Sequence, residues 1–222
     1  MRAVVPNYKS VILRQHLEEI RFRMLAMSNV NLQADRDMID ALRQQAHDIG
    51  DTDLELYALS NYGLTFLGFG ELERAYALFA EGVELARTYQ NEERWLTFRL
   101  NQGVTMMMQR DLPAARTLLE DFLPRLKAAP VNAETSARLY LTCCYLSLIC
   151  VDLYDYAAAE TYARTFLDRW ESAEFALIPQ VRRVEMMSMA RDALASVQLS
   201  RKEYSHARSQ ANLMLGISVR QV

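Results

Sequence analysis

The side chains able to do chemistry are few, and their spacing keeps them apart. Histidine occurs only at His16, His47 and His206. A zinc or acid–base centre needs partners held close together, so these three are expected at surface or capping positions. Cys143, Cys144 and Cys150 fall in one segment. Neighbouring residues on a helix point about 100° apart, so Cys143 and Cys144 are poorly placed to share a metal ion and fit small core positions. An odd number of cysteines in one cluster gives no disulfide framework, and reduced thiols suit a cytoplasmic protein. Asp35, Asp37 and Asp40 read as a solvated face or helix-start charge, not an acid–base pair. Arg182 and Arg183 could meet an anion but also fit a solvated face. No nucleotide-binding loop, DNA-reading helix-turn-helix or cyclase signature is visible. The sequence therefore predicts no enzyme, no cofactor and no metal.

Composition narrows the class further. The 222 residues are 51% hydrophobic and 24% charged, with a formal net charge of -3, which gives no reason to expect nucleic acid or an acidic membrane as partner. Lysine occurs only at Lys9, Lys127 and Lys202, the remaining basic charge being arginine. Seven glycines supply little material for the tight turns of an all-β fold, while the abundant Ala, Leu, Glu, Arg and Met favour helix. Met1 to Ser10 has no apolar stretch of the signal-peptide kind. The apolar run from Leu139 to Val151 is shorter than the ~20 residues of a typical membrane span.

The elements that must position these residues show themselves as a repeat. Gly63 and Gly103 lie forty residues apart; Ala75 and Ala115 follow each by twelve, Phe79 and Leu119 by sixteen. Small, small and large at a constant period marks stacked helical hairpins. The clearest unit runs from Leu56 to Tyr89, with Leu56, Leu59, Tyr62, Phe66 and Leu67 at helical spacing. A capping box at Thr52 and Glu55 is expected to start it. Gly70 punctuates the turn, Glu71 and Glu73 open the second helix, and Ala75, Phe79 and Gly82 form its inward stripe. In the next unit Gly103, Met106, Ala115, Leu119 and Phe122 take the same slots. There Asp111 and Pro113 open the second helix, Pro124 is expected to stop or bend it, and 127–135 is expected to be loop. A third unit carries Ser147, Ala159, Ala163 and Phe166, with Tyr154, Asp155 and Tyr156 in the turn. Pro179 is expected to start a long helix to about Leu199. The fourth unit follows with Ala195, Ala207, Ala211 and Met214, and a capping box at Ser200 and Glu203. A degenerate first unit places Phe22, Ala34, Met38 and Ala41 in the matching slots.

The pattern through Gly63, Phe66, Gly70, Ala75, Phe79 and Gly82 resembles the tetratricopeptide repeat family, in the extended-repeat form found in bacterial regulators. The resemblance implies an all-α, right-handed superhelix of four to five hairpins. It would be a single domain over 1–222, with repeats near 8–48, 52–89, 92–127, 133–170 and 179–216. It also implies a concave groove built by the first helix of each hairpin. Carried onto this chain, the groove positions of the first two full units are Tyr57, Ser60, Asn61, Leu64 and Leu67, then Thr97, Leu100, Asn101, Val104, Met107 and Met108. The third gives Leu141, Cys144, Tyr145, Leu148 and Val151, and the last Met189, Asp192 and Ser196. His16, Glu19 and Arg23 would come from the first. The candidate partner-binding residues are Tyr57, Asn61, Leu64, Asn101, Val104, Met108, Tyr145 and Leu148. Asn61 and Asn101 share one slot, where an amide could pair with a bound peptide backbone or bond to a neighbouring helix. The apolar positions could accept an amphipathic helix or be covered by the chain's own packing. The basic side chains of a carboxylate clamp are missing from their positions, which hold Ser60, Leu64, Tyr57 and Thr97. The expected function is a non-enzymatic scaffold binding a protein or peptide. The alternative is a regulatory, sensor or dimerisation module of a larger bacterial signalling protein, with a homodimer formed through an open solenoid end.

Overall fold

The computed structural model describes residues 8–25, 32–169 and 172–219. The elements among them are helical: α1 (Tyr8–Leu25), α2 (Leu32–Asp48), α3 (Thr52–Gly68), α4 (Leu72–Thr88), α5 (Glu92–Met108), α6 (Leu112–Ala128), α7 (Ala133–Asp152), α8 (Tyr156–Leu167), α9 (Ala173–Ala176), α10 (Gln180–Ser200) and α11 (Tyr204–Val219). They divide into two compact units, Met1–Thr105 and Met106–Val222.

From α2 to α6 each helix has 17 residues, and the helices begin at positions 32, 52, 72, 92 and 112. The hairpin period of forty is thus two equal steps of twenty. A recurring turn sets the step. Gly50, Gly70, Gln90 and Arg110 sit at φ 72°, 77°, 54° and 65°, the left-handed conformation that closes helix C-termini. Gly70 N–H donates to the Leu67 carbonyl and Glu71 N–H to that of Phe66 (3.1 and 2.9 Å), and Gln90 and Asn91 repeat the pair one step later. The residue after the left-handed position then stands at the N-cap of the next helix, and at three of these four turns its side chain caps it, Glu71 making no side-chain cap bond. Asp51, Asn91 and Asp111 each accept the N–H three residues on, at 3.0, 3.0 and 3.3 Å. The cap of α3 is therefore Asp51, not Thr52: Asp51 stands just outside the first turn, where its carboxylate reaches the Leu54 N–H, while Thr52 is already the first helical residue.

In the first unit, Leu13, Leu17 and Ile20 of α1, Ile39, Leu42 and Ala46 of α2, and Leu54 and Ala58 of α3 form one buried cluster. The expected slots Ala34, Met38 and Ala41 are exposed, and the side chain of Phe22 lies outside the described residues. The packed register is Asp35, Ile39, Leu42 and Ala46, forty residues before Ala75, Phe79, Gly82 and Ala86. Asp35 takes the place of an alanine in the first turn of α2, where the helix dipole favours a carboxylate. Glycine permits the closest approaches in this unit. A Cβ on Gly63 would stand 2.4 Å from the Phe79 ring, and one on Gly82 2.3 Å from the Phe98 ring.

In the second unit, α6 starts as expected, with Asp111 as cap and Pro113 in the first turn, but runs on through Pro124 to Ala128. Pro124 is exposed, so the hydrogen bond it removes lies on the solvent side. The loop shrinks to 129–132 and ends in a capping box of Asn132 and Thr135. Tyr140, Phe166 and Phe175 pack edge to face with centroids 5.0–6.1 Å apart, at the centre of a cluster that α10 completes with Met186, Met187, Ala190 and Leu194. Tyr154 is the left-handed turn residue (φ 60°), and Asp155 caps α8. Pro179 precedes α10, which runs to Ser200. Ser200 does not cap α11: its hydroxyl donates to the Val197 carbonyl at 2.6 Å. Ala207 is buried as expected, whereas Ala195 is only half-buried and Ala211 is exposed.

Candidate partner-binding faces

In the first unit, α3 and α5 carry the same polar pair. Thr65 Oγ1 donates to the Asn61 carbonyl at 2.9 Å and Thr105 Oγ1 to that of Asn101 at 2.7 Å, which ties both asparagines into the helix wall. The two amides then differ. Asn61 Nδ2 donates back to the Tyr57 carbonyl at 2.8 Å and the side chain is buried. Among the described residues Asn101 Nδ2 has no hydrogen-bond partner, although the atom is buried. Val104, one turn on, is buried, while Leu64 is exposed. Ser60 and Leu100 also belong to the core. The slot shared by Ser60 and Leu100, forty residues apart on α3 and α5, thus faces inward to packing.

Tyr57 is held by the fold. Arg14 and Arg94 lie on its ring, 5.3 and 4.9 Å from the centroid, a favourable cation–π arrangement, and its hydroxyl donates to Glu18. Arg94 also grips Asp53 through Nε (2.8 Å) and Nη2 (3.0 Å), and Arg14 adds a third bond at 3.0 Å. The Arg94 hydrogen bond, ahead of its charge and the contribution of Arg14, lowers the Asp53 carboxyl to about 2 despite partial desolvation. A parallel node joins α2 to α4, where Arg36 and Arg74 cover the Phe66 ring at 4.2 and 4.7 Å and both bond Glu71. Neither node was read from the sequence. For the first node the signal is a separation near forty between opposite charges, Arg14 to Asp53 and Asp53 to Arg94; in the second, Arg36 and Glu71 stand thirty-five apart.

In the second unit, Met108 is exposed and Leu148 half-buried. Tyr145 is largely desolvated, which, with Glu185 nearby, pushes its phenol up to about 12. Cys144, expected on the groove, is fully buried, its thiol 3.5 Å from the Met186 carbonyl; α10 packed on α7 covers that position. Burial raises all three thiols, Cys143 and Cys150 to about 11. Leu141, Val151, Met189 and Ser196 are half-buried and Asp192 exposed. His16 and Glu19 are exposed, and the side chain of Arg23 lies outside the described residues.

His47 Nδ1 lies 3.2 Å from Glu55, which also accepts the Tyr89 hydroxyl at 2.9 Å. Among the described residues no group of three or more His, Cys, Asp or Glu could hold a metal ion, and no helix is long and apolar enough to cross a membrane.

No family model matches the chain, and no curated protein matches it in sequence. Solved structures do match. A variant of a kinesin light chain protein of nearly identical TPR-like repeats from Podosopora anserina superposes with a TM-score of 0.67 at 11% identity, over 98% of this chain and 99% of that one. A second structure of that repeat protein gives 0.65 at 11% identity, over 97% and 98%. BtubC (BKLC) from P. vanneervenii gives 0.62 at 14% identity, over 96% and 91%. The chain thus has a tetratricopeptide-type repeat fold, an all-α solenoid of helical hairpins.

Proposed function

We propose that the chain is a non-enzymatic, cytoplasmic scaffold that binds a protein or peptide segment on the exposed faces of the first helices of its hairpins. The observation that carries this reading is the unpaired amide of Asn101. A buried N–H without an acceptor costs about 1–3 kcal/mol, and a bound backbone carbonyl would remove that cost once the half-buried side chain turns outward. Leu64 on α3 supplies exposed apolar surface for the partner's side chains, Met108 does the same in the second unit, and Tyr145 and Leu148 add partly buried surface there. The test is selection of binders from a random peptide library, followed by NMR mapping. Shifts centred on Asn101 and Leu64 support the reading, and binders that leave both unperturbed refute it.

A second reading, self-association as part of a regulatory or dimerisation module, rests on a separate observation. A cleft of about 650 Å³ on α10 and α11 is lined by Ala195, Leu199, Tyr204, Ala207, Arg208 and Ala211 among others, and Leu199 and Tyr204 are exposed by 54% and 65%. Light scattering decides it. A dimer that Leu199→Glu converts to monomer supports pairing through this face; a wild-type monomer at high concentration removes it.

A further inference from the structure

The ends of α6 and α8 and the start of α7 enclose a cleft of about 360 Å³ within the second unit. Its size falls in the range of small-molecule sites, roughly 300–1,000 Å³. The walls are apolar: Leu126 and Tyr140 form its buried floor, with Leu139 and Val131 beside them. Among the described residues its lining also includes two cations, Lys127 at the end of α6 and Arg169 just after α8, and no carboxylate. Both side chains are exposed. The polar groups of the wall are already engaged. Thr135 Oγ1 donates to the Pro130 carbonyl at 2.5 Å and Thr165 Oγ1 to the Thr161 carbonyl at 2.9 Å. Asn132 Oδ1 takes the first N–H groups of α7, those of Glu134 and Thr135. Among the described residues, the charge a ligand brings would therefore rest on Lys127 and Arg169, while the floor rewards an apolar body.

We propose that this cleft is a binding site for a small amphipathic monocarboxylate, its chain lying on Leu126, Leu139 and Tyr140 and its carboxylate between Lys127 and Arg169. The lining shares no residue with the positions that carry the peptide-binding reading, and the proposal does not depend on them. A neutral ligand of the same shape gains the apolar contact but loses the charge-assisted hydrogen bonds. Inorganic anions gain the charge contact without the burial.

The test uses the full chain with octanoate, octanamide and inorganic phosphate as probes, followed by calorimetry and by NMR shifts of the Leu139 and Val131 methyls. Octanoate is expected to saturate with a Kd of roughly 0.1–1 mM, at least tenfold tighter than octanamide or phosphate. Lys127→Ala and Arg169→Ala, both on exposed positions, should each weaken octanoate about tenfold without altering the circular dichroism spectrum. Val131→Asp, which places an anion at the rim, should abolish binding. Equal binding of octanoate and octanamide, no saturation, or octanoate affinity unchanged in the Lys127→Ala, Arg169→Ala double variant would each overturn the proposal. So would an apolar-ended peptide that binds there more tightly than octanoate through its C-terminal carboxylate.

Discussion

The Phe79 ring occupies the space where a side chain on Gly63 would begin: a Cβ at Gly63 would meet ring carbons at 2.4, 2.8 and 2.9 Å. Phe79 is fully buried, so the ring has no open side to turn into. Gly63→Ala gains about 1 kcal/mol of helix propensity, against an overpacking cost of about 1–3 kcal/mol. A net loss of stability is expected in urea titration, with recovery when Phe79→Leu is added. A Gly63→Ala chain more stable than wild type would show that the contact yields.

The node of Arg14, Asp53 and Arg94 predicts an acid response. The folded chain holds the Asp53 carboxyl at about 2, below the ~3.9 of an unfolded aspartate. A depressed carboxyl contributes stability that is fully present above about pH 4 and is lost as pH falls through about 2. Asp53 is 46% exposed, so solvent screening limits the contribution to about 1 kcal/mol or less. Asp53→Asn should flatten the fall in unfolding free energy between pH 4 and pH 2 and weaken its dependence on salt. An unchanged slope would mean that the ion pairs add nothing.

The hairpin period was legible because it is written in side-chain volume: only small residues fit where Gly63, Gly82, Ala75 and Ala115 stand, and only large ones fill the gaps at Phe79 and Leu119. The first hairpin was misread for the same reason. Its slot holds Asp35, whose charge hides a position that the helix N-terminus makes tolerable, and the neighbouring Ala34 looked the better match. The start of α3 is expected one residue late, at Thr52, because its cap follows the left-handed turn rather than the hydrophobic pattern; the recurrence of Asp51, Asn91 and Asp111 locates it. The groove was the least legible part. Cys144, Leu100 and Ser60 occupy positions that the family pattern turns outward, yet neighbouring helices bury them. Whether a helix face is covered depends on contacts far along the chain, which local periodicity does not encode.

Asn101 separates the two asparagines by experiment. Asn61 already bonds the Tyr57 carbonyl, so Asn61→Ala breaks an internal hydrogen bond and should cost stability of about 1 kcal/mol. Asn101→Ala removes an unpaired N–H and should leave stability level or slightly raised. The same substitution should weaken a selected peptide by about 1–3 kcal/mol. Thermal denaturation and calorimetry on both variants make the comparison. Asn101→Ala with lower stability and unaltered peptide affinity would assign Asn101 a purely internal role.

The left-handed turns make the last prediction, because residue type varies where backbone conformation does not. Gly70 and Gln90 end successive helices at φ 77° and 54° and make matching pairs of hydrogen bonds. A side chain in this region costs roughly 1–2 kcal/mol through its Cβ, partly offset by the greater entropy a glycine loses on folding. Gln90→Gly should therefore stabilise the chain by about 0.5–1 kcal/mol, and Gly70→Ala should destabilise it by a similar amount. No Cβ clash complicates the second change, since nothing lies within 4 Å of the position a Gly70 Cβ would take. Its cost then reports backbone strain alone. Paired melting curves of opposite sign would establish that this turn geometry is what sets the twenty-residue step, and a Gln90→Gly chain no more stable than wild type would refute it.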